Sequence, residues 1–90
     1  MIISVQPIYG NGWTDGQTDV TEPELFEVDA VRREDGTISG RITVSDDKIL
    51  SGAIFEATPR HVAEDMLYNC SIRYQDGRRI TGYCHIRFSI

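Results

Sequence analysis

Polar and apolar residues alternate along much of this chain. In Phe26–Val31, Phe26, Val28 and Ala30 alternate with Glu27, Asp29 and Val31. In Ile38–Ser45, Ile38, Gly40, Ile42 and Val44 alternate with Ser39, Arg41, Thr43 and Ser45. A period of two predicts strands with one buried face. Between them lies Glu34-Asp35-Gly36, suited to a three-residue hairpin loop with a G1 bulge. That loop sets Arg33 against Thr37, Ala30 against Gly40, Val28 against Ile42 and Phe26 against Val44. Apolar then meets apolar, which an even-length loop would spoil. A two-residue turn at Asp46-Asp47 would continue the meander, with Ile42 opposite Ser51, Gly40 opposite Ala53 and Ile38 opposite Phe55. Leu50 and Ile54 then fall on the opposite face, which needs a cover.

Thr58-Pro59 reads as a helix start, Thr as N-cap and Pro at the first helical position. Val62, Ala63, Met66 and Leu67 form an apolar stripe at helical spacing, and Asn69 suits a left-handed ending. A last hairpin follows. Cys70, Ile72 and Tyr74 alternate with Ser71, Arg73 and Gln75, the loop is Gln75-Asp76-Gly77, and Ile80 to Ile90 alternates again. At the front, Ile2–Ile8 reads as a strand, which Pro7 places at an edge. Residues 9–23 are rich in turn formers and form an unusually long connection. The expected fold is α+β and mostly β. It is a five- to six-stranded antiparallel sheet or a small OB-like barrel, built from a three-strand meander, one helix and a C-terminal hairpin. Residues 1–90 are one domain: edge strand 1–8, loop 9–23 and core 24–90.

Charge changes the picture. The first 31 residues carry six carboxylates (Asp15, Asp19, Glu22, Glu24, Glu27, Asp29) and no Lys or Arg, within a net charge of −5. Arg73, Arg78, Arg79 and Arg87 crowd the end of the chain against one acid, Asp76. Such a lopsided field steers partners over distances that single contacts do not reach. No apolar run approaches the roughly 20 residues of a membrane span, and a signal-peptide pattern is missing. A soluble cytoplasmic protein is expected. Two cysteines are too few for a disulfide framework and suit a reducing compartment. With Cys70 across from Gly82 and Cys84 one step diagonal, both read as small buried hydrophobes.

Three surfaces compete for function. The favoured one is acidic: Trp13 anchors and Asp15, Asp19, Glu22 and Glu24 select a basic protein partner. The carboxylates would imitate spaced phosphates, as small acidic inhibitor proteins of the phage type do. The alternative is nucleic acid held by the basic face Arg73, Arg79, Tyr83, His85 and Arg87, where guanidinium groups pair with phosphate and the tyrosine stacks. The third is a homo-oligomer that buries Leu50, Ile54 and the last strand between copies. Trp13 suits an exposed anchor and a core plug equally. Asn11, Asp15, Gly16, Asp19 and Glu22 fit an EF-hand frame, but Trp13 stands where an oxygen ligand is required. No metal or cofactor is expected. Nothing assembles a nucleophile, a base and oxyanion donors, so catalysis is not expected.

Overall fold

A computed structural model describes residues 1–8, 12–45, 50–62 and 65–88. It contains six antiparallel strands: β1 (Ile2–Pro7), β2 (Phe26–Arg32), β3 (Ile38–Ser45), β4 (Ile54–Val62), β5 (Asp65–Arg73) and β6 (Arg79–Phe88). They close into a barrel in sequential order, β6 returning to β1. The barrel is OB-like in its size and closure. Its up-and-down order differs from the five-stranded Greek key of a true OB-fold. Alternation fills the interior, where Ile3, Val5, Phe26, Val28, Ile38, Ile42, Phe55, Ile72 and Cys84 are all buried. Phe26 and Phe55 meet edge to face with centroids 5.6 Å apart.

The expected α+β class is corrected: among the described residues there is no helix. The segment read as a helix is the hairpin of β4 and β5, paired from Ile54↔Arg73 to Val62↔Asp65. An isolated helix of about ten residues is marginal in water. The two arms satisfy each other's backbone from Thr58↔Asn69 to Val62↔Asp65, and nearer the barrel β4 also pairs β3 and β5 also pairs β6, which closes the sheet edges that a helix would leave. Pro59 fits this strand because β3 pairs β4 only as far as Ala57. Beyond that point a missing donor breaks no ladder bond on the β3 side. Pro7 is explained in the same way. The β1–β2 pairing stops at Val5↔Phe26, while Pro7 pairs Cys84 of β6. β1 is therefore bonded on both sides, and it is not an edge strand.

The β2–β3 register holds as read: Ala30 faces Gly40 and Val28 faces Ile42. A bulge between Glu27 and Val28 then moves Val44 opposite Glu27. The β3–β4 connection is longer than a two-residue turn. Ile38 faces Ala57 and Gly40 faces Phe55, two residues from the expected register. The proposed turn at Asp46-Asp47 lies outside the described residues. Gly52, at φ +82°, donates to the Ile42 carbonyl, and this turn sends Leu50 into the core, fully buried. Leu50 is thus not on an outer face awaiting a second copy.

β5 and β6 pair with Cys70 opposite Gly82, as the loop predicts. Cys70 and Cys84 nonetheless form a disulfide, with Cα atoms 6.5 Å apart. That corrects the reading of two unpaired small hydrophobes. Sheet twist brings one pair of diagonal neighbours within disulfide reach, which an opposite-residue count misses.

Candidate functional site

Residues 12–20 are organised by the barrel. Thr14 N–H donates to the Thr81 carbonyl and Thr81 N–H donates back, both at 2.9 Å. This segment thus takes β1's place beside β6 where β1 ends. Val20 N–H donates to the Trp13 carbonyl at 3.0 Å, closing the turn. Trp13 is fully buried against Gly82. Of its two readings the structure shows the core plug, so Trp13 is no surface anchor. Its indole Nε1 has no hydrogen-bond partner among the described residues.

The acidic residues do not form one array. Asp15 accepts N–H bonds from Gln17 at 2.9 Å and Thr18 at 2.8 Å, and these hold its carboxyl below the usual 3.8. It lines a groove of about 390 Å³ with Tyr74, Arg78 and Arg79. Asp19 bridges Thr14 at the rim of the barrel. Glu22 is half-buried and Glu24 is exposed just before Leu25. From there the outward face of β2 carries Glu27 and Asp29.

Beside these two acids stands a feature that charge alone did not reveal. Among the described residues, the large hydrophobic side chains that are exposed are Met1, Ile2, Leu25 and Val31. Ile2 pairs with Asp29 across β1 and β2, and Ser4 pairs with Glu27. Leu25, Glu27, Asp29 and Val31 share one face of an extended chain and make a stripe about 20 Å long. Val31 is 67% exposed, although it lies in a strand whose alternate residues form the core. The sequence signal was there: Val31 occupies a polar position in an otherwise clean alternation.

The basic face is also divided. Arg73 and Arg79 are paired directly across β5 and β6, and both are exposed. Arg79 donates to Ser71 Oγ at 3.3 Å. Tyr83 is half-buried and touches both Gly12 and the Arg60 guanidinium, which lies 5.8 Å from the ring centroid. His85 and Arg87 stand further along β6 and line a different groove of about 400 Å³ with Ser4, Gln6 and Leu25. Arg60 joins this face only because its segment is a strand. Reading residues 58–69 as a helix concealed it.

Among the described residues, no group of three or more His, Cys, Asp or Glu side chains is placed to hold a metal ion. No helix among them is long and apolar enough to cross a membrane. No known family model, curated protein or solved structure matches this chain.

Proposed function

We propose that this barrel is a non-catalytic binding protein that engages a basic protein partner through the outer face of β1 and β2. One observation carries the reading: the exposed apolar side chains Ile2, Leu25 and Val31 are interleaved with the carboxylates Glu24, Glu27 and Asp29. Exposed apolar patches rimmed by polar groups mark interaction surfaces. Here the apolar residues supply contact area, and the acids accelerate encounter and reject acidic competitors. A partner that blocks its own basic groove with this face would be inhibited. The barrel contributes rigidity, because every strand is bonded on both sides and the face is held ready for its partner.

The test is capture from a lysate of the source cells by three immobilised proteins: wild type, L25S/V31S and E27Q/D29N. The reading expects one basic protein retained by wild type, released by salt, and reduced with both variants. Equal recovery on all three would contradict it.

A further inference from the structure

We infer that the cleft on the outer face of β4, β5 and β6 is a second, separate binding site, built for the phosphodiester backbone of single-stranded nucleic acid. It does not rest on the β1–β2 reading. The cleft has a volume of about 440 Å³, and its lining includes Thr58, Asn69, Ser71, Arg79, Thr81 and Tyr83. Such a size is ordinary for a ligand site.

The first argument is a cost that folding does not explain. Arg73 and Arg79 are directly opposite on neighbouring strands. Like charges in that position repel and destabilise a sheet. Among the described residues neither has a carboxylate within ion-pair distance. Arg79 turns from Arg73 toward the cleft and donates to Ser71. An anion seated there relieves the repulsion.

The second argument is Tyr83, which lines the cleft, and the guanidinium beside it. Arg60 Nη1 lies 3.4 Å from the Tyr83 hydroxyl, and its guanidinium rests over the Tyr83 ring. A Cβ at Gly12 would lie 3.3 Å from Tyr83 Cδ2, so the ring also packs against that glycine. Tyr83, a lining residue, thus holds Arg60 beside the cleft. A guanidinium carries five donors. One of Arg79's goes to Ser71 and one of Arg60's goes to Tyr83, which leaves several on each for phosphate oxygens. The hydroxyls of Thr58, Ser71 and Thr81 and the amide of Asn69 are the neutral donors that commonly complete backbone contacts.

The third argument is extent. Arg60, Arg79 and Arg73 cross three strands as a track of positive charge, which suits a chain of phosphates better than one. Glu56 is the acid in the cleft lining. The negative net charge of the molecule does not decide the matter. Asp15 shares a neighbouring groove with Arg79, but neighbouring strands are about 4.8 Å apart, so the acids of β2 lie roughly 10 Å from β6 and 14 Å from β5 around the barrel wall. The Debye length at physiological salt is about 8 Å.

The test is fluorescence anisotropy of a labelled single-stranded oligothymidine across a salt series, with wild type, R60Q, R79Q and R87Q. Circular dichroism confirms that each variant is folded. The proposal expects saturable binding whose logarithm falls linearly with log salt. R79Q and R60Q should each weaken it several-fold and flatten the slope by about 0.7. R87Q, which faces another groove, should bind as wild type does. Failure to bind at the lowest salt, or an R79Q variant indistinguishable from wild type, would overturn the proposal. So would equal competition by inorganic phosphate at matched phosphate concentration, since that defines a site for free anions.

Discussion

The indole of Trp13 lies flat against the backbone of Gly82, and a Cβ at Gly82 would overlap the ring, 2.6 Å from Trp13 Cγ. The glycine is needed here for space. Trp13 enters from the segment that takes β1's place beside β6, and it closes the core, fully buried. Gly82→Ala should therefore push the indole outward and destabilise the fold by about 1–3 kcal/mol, the usual cost of overpacking. Trp13 is the only tryptophan, so its fluorescence reports directly. A red-shifted emission and a lower urea midpoint are expected. An unchanged spectrum and midpoint would show that the two residues do not pack.

The Cys70–Cys84 disulfide staples β5 to β6 behind the cleft, across a sequence separation of 14. Closing a loop of that length in the unfolded chain is worth about 3 kcal/mol. C70S/C84S, or reduction of the wild type, should lower the unfolding free energy by about that amount. The fold itself should survive, because the ladder from Tyr68↔Cys84 to Arg73↔Arg79 does not depend on the bridge. Denaturant melts with and without reductant check this. Coincident melts would mean that the bridge contributes nothing.

Three aspartates at turns make stability depend on pH in the acid range. The Thr37 hydroxyl and amide lower the Asp35 pKa. The Arg78 amide, with its side chain, lowers that of Asp76. The Thr18 and Gln17 amides do the same for Asp15. A carboxyl depressed on folding adds stability above its unfolded pKa, and that contribution disappears as pH falls through the folded value. The thermal midpoint should therefore be flat near neutrality and fall from about pH 4 downward. Asp35→Asn and Asp76→Asn keep the turn oxygen and remove the titration. Each should lower the neutral midpoint slightly and shallow the acid slope. A slope unchanged in both variants would place the acid sensitivity elsewhere.

Much of the barrel was legible where local chemistry decides it. The Asp-Gly turns fixed the two hairpin registers, Ala30↔Gly40 and Cys70↔Gly82, because loop length sets pairing. What escaped notice depended on contacts distant in sequence. Thr58-Pro59 carries a helix-start signal, and only the position of β3's end makes Pro59 acceptable in β4. Alternation in the expected register puts Leu50 on the outer face, and the Gly52 turn reverses it. The bulge at Glu27/Val28 has no marker in the residues around it. For the site, the acids and arginines were visible as charge. Their division into a β1–β2 stripe and a β4–β6 cleft follows from barrel closure, as do the positions of Leu25 and Arg60.

The central claim concerns the β1–β2 face, and association kinetics with the captured partner test it most directly. Wild type, E27Q/D29N and L25S/V31S are compared over a range of ionic strength. The account predicts slower association and a flatter salt dependence for E27Q/D29N, and faster dissociation for L25S/V31S. Rate constants equal to wild type in both variants, at every salt concentration, would contradict it.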